Sequence, residues 1–162
     1  MASYLPNLSR DNISLYTIPA AWIIALMPRF YAASTYKAAT GKSFNAVNPR
    51  LFVGECSSTQ SLDSTTKGRI LRAESAQQNS YENLGLFAAA IVAGNAAGLT
   101  PSTLNGLGLA YVGVRFVYNH IYIFQDLVPT QVRTLAFFAS VGCYMALFVQ
   151  AGWKWNEKRG LL

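Results

Sequence analysis

Four long apolar segments constrain this chain more than any other feature. They lie at about 13–37, 68–99, 104–124 and 132–153. Each reaches the roughly 20 residues that a helix needs to cross a bilayer. The first is built on ISLYTIPAAWIIALMPRFYAASTY, and the second carries LGLFAAAIVAGNAAGL after a more polar start. The third reads LNGLGLAYVGVRFVYNHIYIF and the fourth VRTLAFFASVGCYMALFVQAGW. Inside a bilayer no water satisfies backbone N–H and C=O groups, so segments of this kind are expected to be helices. The 3.6-period polar faces of a soluble helical domain are largely missing from the third and fourth.

The connections set the expected topology. Residues 38–67 form a polar link holding TGKSFNAVNPR and SSTQSLDSTTKG. The other two turns are short and carry Pro101 and Pro129 near the next helix start, where a missing N–H costs least. Short turns join antiparallel neighbours. The expected fold is therefore an all-α membrane protein, an up-down-up-down bundle of four transmembrane helices in one domain spanning 1–162.

Charge agrees with this. Charged residues make up only 12 % of the 162 residues, about half the usual share of a soluble domain. The excess of 13 Lys+Arg over 7 Asp+Glu forms no dense basic patch, which argues against a nucleic-acid-binding domain. Lys37, Lys42, Arg50, Lys67, Arg69 and Arg72 flank or occupy the long link, and Arg133 follows the last turn. Arg10, Lys154, Lys158 and Arg159 lie at the other side. The positive-inside bias expects the long link in the cytoplasm and both termini outside or in a lumen. The leader MASYLPNLSRDN lacks a basic n-region and a small-residue cleavage pattern, so the first span is expected to be retained. Asn7-Leu-Ser9 and Asn12-Ile-Ser14 match the glycosylation pattern, but both fall close to the expected membrane surface.

Polar residues inside the spans need a reason, because they are costly there and usually face a bundle interior or a wet cavity. Arg72, Ser75, Asn79, Glu82 and Leu86 recur at steps of three and four and share one helix face. In the third span Arg115, Tyr118 or Asn119, Tyr122 and Asp126 form a similar stripe. Arg133 and Thr134 open the fourth, and Tyr16, Arg29 and Tyr31 are candidates in the first. If the helices alternate, the start of span two, the end of span three and the start of span four meet on the side of the long link. A cluster of Arg72, Asn79, Glu82, Arg115, Tyr122 and Arg133 follows. Three guanidinium groups against one carboxylate suit a small anionic ligand with carboxylates, an amine and amides. The alternative is structural: Glu82 and Arg115 pair between helices so that neither charge is buried alone.

Other features carry less. Gly94-Asn-Ala-Ala-Gly98 and the run Gly106, Gly108, Ala110, Gly113 allow close helix approach. A single histidine, His120, excludes a multi-histidine metal site and is expected as an interhelical hydrogen-bonding residue. Cys56 and Cys143 make neither a metal spacing nor a disulfide framework.

The segment Arg72-Ala-Glu-Ser-Ala-Gln-Gln-Asn79-Ser-Tyr-Glu82-Asn-Leu-Gly-Leu-Phe87 resembles the second-helix signature of the MAPEG family, the membrane-associated proteins in eicosanoid and glutathione metabolism. Asn48-Pro49-Arg50 and Arg115-x-x-Tyr118-x-x-x-Tyr122 resemble its flanking elements, and the likeness spans about 13–152. It is nearest the divergent bacterial and fungal branch, of microsomal glutathione transferase type. The resemblance implies a homotrimer of four-helix bundles with glutathione bound between neighbouring subunits. It implies glutathione contacts at Arg72, Asn79, Glu82, Arg115 and Tyr118, with Tyr122 and Arg133 at the reacting thiol and Thr134 beside them. A guanidinium next to a thiol favours the thiolate. Gln77 departs from the family pattern, where His is frequent, and Ser75 and Gln78 stand where some members carry Arg. The turn before Arg133 is longer than in the eicosanoid enzymes.

The function expected from this is a membrane enzyme that conjugates, reduces or isomerises a lipophilic molecule with glutathione and without metal. Its location is an endoplasmic-reticulum-type membrane. Two alternatives stand beside it: a glutathione-independent isomerase or cyclase, and a non-catalytic lipid-binding or scaffold protein.

Overall fold

A computed structural model describes residues 6–160. Among them are five α-helices: α1 Thr17–Thr40, α2 Phe52–Ser58, α3 Ser64–Ala97, α4 Pro101–Ile123 and α5 Thr130–Lys158. Residues 1–5, part of the leader considered above, lie outside the described residues.

Local chemistry explains the boundaries. The Asp63 carboxylate accepts the Thr66 N–H and caps α3, and the Thr100 hydroxyl does the same for α4 with Thr103. Pro101 then occupies the first turn of α4. The α3 C-terminus turns out at Gly98 with φ of 77°, a left-handed conformation that a side chain would strain. A Cβ there would also come within 2.9 Å of Lys158 Nζ.

Each long helix runs antiparallel to the next one in the chain. Asn12 reaches Asn95 at 2.6 Å while Arg29 reaches Glu74 at 2.8 Å, so α1 and α3 run in opposite directions. Arg72 on α3 donates to the Ile123 carbonyl and Arg115 on α4 to Asn79, which orders α3 against α4. Tyr111–Tyr144 and Tyr118–Phe137 contacts do the same for α4 and α5.

The sequence expectation of four helices needs one addition. The polar link contains α2, a short helix with no counterpart in the hydropathy pattern. Phe52 and Cys56 stand four residues apart on one face and pack under Tyr36, Leu62, Ile70 and Ala73. Two buried residues suffice to seat a short helix, but they are too few to register as an apolar segment.

Length and composition alone qualify only α5 to cross a membrane, among the described residues. In α1, α3 and α4 the apolar pattern is diluted by Tyr, Asn, Ser and Gly, several of them buried between helices. The outer surface of α5 is strongly apolar, with Leu135 72 %, Phe138 63 % and Trp153 64 % exposed.

The core has two parts. Phe87, Ile91, Leu104, Tyr111, Tyr144 and Leu147 fill the end formed by the C-terminal half of α3. Phe87 and Tyr111 stack there with ring centroids 3.8 Å apart. Gly108 lets α4 approach α1, since a Cβ would meet the Thr17 hydroxyl at 3.0 Å. That end is closed by the segment before α1. Asn105 donates to the Leu8 and Asp11 carbonyls at 2.8 Å each and accepts the Ile13 N–H. The second core lies under the link.

Candidate functional site

Between the two cores runs a polar layer formed by α1, the N-terminal half of α3 and the C-terminal half of α4. At its centre is Arg115, only 2 % exposed. Its Nη2 donates to Asn79 Oδ1 at 2.9 Å and to Ser80 Oγ at 3.0 Å. The guanidinium carbon lies 4.4 Å from the Tyr118 ring centre. Among the described residues, Arg115 Nε and Nη1 are buried without a partner. No carboxylate lies within ion-pair distance of Arg115 among the described residues. A buried cation without a carboxylate is a costly arrangement, and it favours an anion that arrives from outside the chain.

The layer continues on both sides. Ser80 Oγ donates to Asn119 Oδ1 at 3.0 Å, and Asn119 Nδ2 donates to the Ile24 carbonyl of α1 at 3.0 Å. On the α5 side the Tyr144 hydroxyl donates to Asn83 Oδ1 at 3.1 Å, and Asn83 Nδ2 donates to the Asn79 carbonyl.

A second cation follows toward the link side. Arg133, on the first turn and a half of α5, places its guanidinium 4.7 Å from the Tyr122 ring centre. Tyr122 meets Tyr118 edge-on at 5.6 Å. Arg115, Tyr118, Tyr122 and Arg133 therefore form one continuous cation–aromatic ladder. Such contacts contribute about 0.5–2 kcal/mol each and leave guanidinium N–H groups free for hydrogen bonds. Arg133 has no carboxylate partner among the described residues.

The structure separates other members of the expected cluster from this ladder. Arg72 is engaged within the chain: Nε donates to the Ile123 carbonyl at 2.9 Å and Nη2 bonds Asp126. Arg69 pairs with the other oxygen of Asp126 at 2.6 Å. The two arginines clamp the turn that joins α4 to α5. The Arg69 hydrogen bond is the main cause that holds the Asp126 carboxyl below its usual pKa. Glu82 faces outward and accepts from Gln78 at 3.1 Å. It does not pair with Arg115, so the structural Glu82–Arg115 bridge considered from sequence is absent in this chain. Thr134 is exposed and bonds weakly to the Thr130 carbonyl of its own helix.

Two further expectations change. His120 is not interhelical: it is exposed, and its Nδ1 hydrogen-bonds the Phe116 carbonyl of its own helix at 3.2 Å. Arg29 is not part of the ladder. It pairs with Glu74 and lies between the Phe44 and Phe52 rings, 4.4 and 4.6 Å from their centres, tying the link to α1. Cys56 is fully buried beneath that link, and burial pushes its thiol pKa up. That disfavours a reactive thiolate there.

Sequence reasoning counted Asn83 among the polar candidates of the second span, missed Ser80 and Tyr144, and treated Asn119 only as an alternative to Tyr118. Ser80, Asn83 and Phe87 are buried at the steps of three and four that mark one inner face of α3. That spacing is present in the sequence, beside an outer face of the same helix that carries Arg72, Gln78 and Glu82.

Compared with models of known protein families, residues 14–153 match the MAPEG family. No curated protein matches the chain.

Proposed function

This chain belongs to the MAPEG family, and from that premise we propose that it is an integral membrane enzyme that uses glutathione on a lipophilic small molecule. Four spans, α1, α3, α4 and α5, cross the bilayer in a single domain over 1–162, with the link on the cytoplasmic side of an endoplasmic-reticulum-type membrane. Three copies assemble, and glutathione lies between neighbours. The outward position of Glu82 supports a ligand shared between subunits, since its carboxylate is free to meet the glutathione ammonium.

The observation that carries this reading is Arg115: buried, desolvated, without a carboxylate and with two unpartnered nitrogen groups. Asn79 and Tyr118 line the same place and bind the glutathione backbone with it. Arg133 holds the thiolate, with Tyr122 beneath its guanidinium and Thr134 next to it. A cation at the sulfur favours the ionised form and stabilises negative charge that persists until the sulfur attacks. No metal is needed for that step. The test is thermal melting of the detergent-purified protein with millimolar glutathione, because a ligand that binds only the folded state raises Tm. Glutathione is expected to raise it, and turnover of an aryl halide or lipid hydroperoxide identifies the reaction.

A second reading rests on Arg72. This arginine is committed to Asp126 and the Ile123 carbonyl, which removes one cation from the expected glutathione cradle. A member of the family with a weakened cradle isomerises or cyclises a hydrophobic metabolite without consuming glutathione. A flat Tm against glutathione favours it over the first, as it does the third reading, a non-catalytic lipid-binding protein. Product formation separates those two.

A further inference from the structure

Pro28 sits inside α1, buried, where most helices carry a residue with an N–H. A proline at that position leaves the carbonyl four residues earlier, that of Ile24, without its helical donor. The donor comes from another helix: Asn119 Nδ2 lies 3.0 Å from the Ile24 oxygen. This fixes which way the Asn119 amide faces, because only its nitrogen can serve a carbonyl. Its oxygen is thereby turned to Ser80, 3.0 Å away. An amide oxygen only accepts, so the Ser80 hydroxyl must donate to it. Ser80 is then left with lone pairs, and Arg115 Nη2 donates into one at 3.0 Å. Each link in the series has one permitted direction.

We infer that Pro28, Asn119 and Ser80 are positioning residues that set the orientation of Arg115. The proline in α1 frees a carbonyl, the carbonyl orients an amide, the amide orients a hydroxyl, and the hydroxyl with Asn79 locks Nη2. Nε and Nη1, the two groups without a partner, remain available to an anionic ligand. All four residues are buried or largely so: Ser80 and Asn119 are each 4 % exposed and Arg115 2 %. In such surroundings an arginine with none of its nitrogens held is free to turn about its long side chain, whereas two acceptors on Nη2 fix its orientation and spare a ligand that ordering cost. That the anion is glutathione rests on the reading above; the locking of Arg115 does not.

The decisive variant is Pro28→Ala. It returns an N–H to the Ile24 carbonyl, so α1 gains a hydrogen bond and Asn119 must share an oxygen that it now holds alone. A purely structural role for Pro28 forecasts equal or better stability and an unchanged Arg115. Positioning forecasts equal or better stability with a looser Arg115. Side-chain NMR of nitrogen-labelled arginines on the full-length protein in nanodiscs reads this directly, with Arg115→Lys used to assign the signal. In the parent, the Arg115 Nη protons are expected as separate, slowly exchanging resonances. In Pro28→Ala and in Ser80→Ala they are expected to merge and exchange faster, and Ser80→Thr is expected to restore them. Glutathione affinity, read by calorimetry, is expected to fall roughly tenfold in Pro28→Ala, the middle of the range for residues that share one network. Unchanged Arg115 resonances in Pro28→Ala overturn the inference, whatever Ser80→Ala does. Changed resonances in a protein that binds no glutathione support the locking and defeat only the glutathione reading.

Discussion

The two halves of the bundle interior are built by opposite rules. Around Phe87, Ile91, Leu104, Tyr111, Tyr144 and Leu147 the helices meet through stacked rings and branched aliphatics. One or two turns away, around Arg115, they meet through amides, hydroxyls and a guanidinium. Among the described residues, no fully buried side-chain nitrogen or oxygen of the first half lacks a partner, while the second keeps two buried nitrogen groups of Arg115 without an acceptor. In lipid, polar groups between helices do not gain much over their unfolded partners, so a polar layer is a weak way to hold helices together. On the proposed reading, the apolar half carries stability and the polar half ligand recognition. Variants that move one property without the other test that division.

The largest effect is expected in the apolar half. Phe87 is fully buried and stacked on Tyr111. Truncation to alanine leaves a ring-sized cavity, and Phe87→Ala is expected to cost about 3–5 kcal/mol. The variant should melt well below the parent, while the increment in Tm that glutathione adds stays close to the parental one. Loss of both would break the division.

Next comes Arg133, the cation proposed to hold the thiolate. Stabilisers of developing charge are worth about 10²–10³ in rate. Arg133→Ala is expected to lose turnover of that order, with glutathione affinity changed much less, and Arg133→Lys to lose part of it. Steady-state kinetics on protein of verified fold decides. Activity within a few-fold of the parent removes Arg133 from the catalytic assignment.

Arg115→Met gives a sharper comparison. It removes a buried charge that no carboxylate pairs, and with it the cost of desolvating that charge, and keeps much of the volume. The unliganded Tm is therefore expected to hold or rise. Hydrogen bonds to a charged group contribute about 1.5–3 kcal/mol, so glutathione binding should weaken about 10- to 100-fold. A large fall in unliganded stability would make Arg115 a structural residue.

The smallest effect belongs to Asp126, outside both halves. Its carboxylate joins Arg69 and Arg72 at the exposed turn between α4 and α5. Its pKa in the fold is below the ordinary 3.8, so the stability it adds is fully present above that value and is lost as pH falls through the lowered pKa. Melting curves of the parent and Asp126→Asn should run apart by a small, constant margin at neutral pH. Below about pH 3.8 they should converge. A margin that persists in strong acid would mean that the carboxylate's charge is not what holds the turn.

Much of the architecture was legible in the chain. Hydropathy, the paired prolines and the short turns marked the four long helices, and the Asn79–Glu82–Phe87 spacing marked the family. These are local properties: a helix declares itself through the residues within one or two turns, and a signature through their order. The meeting of Arg115 with Asn79, and of Arg133 with Tyr122, also followed from alternating helix directions.

Three things were decided only by the tertiary structure. One is the partner of each charge. Arg72 and Glu82 share a helix with Asn79, yet Arg72 is held by Asp126, 54 positions later, and Glu82 faces outward. Sequence spacing fixes the angle of a residue on its own helix, but not what the neighbouring helix presents at that height. Another is α2, where two buried side chains seat a helix too short to show in hydropathy. The third is the series from Pro28 to Arg115. In the sequence Pro28, Asn119 and Ser80 are a helix breaker, an amide and a hydroxyl with no common pattern. A freed carbonyl, the direction in which a donor must face and a buried guanidinium become one arrangement only when three helices bring them within hydrogen-bond distance.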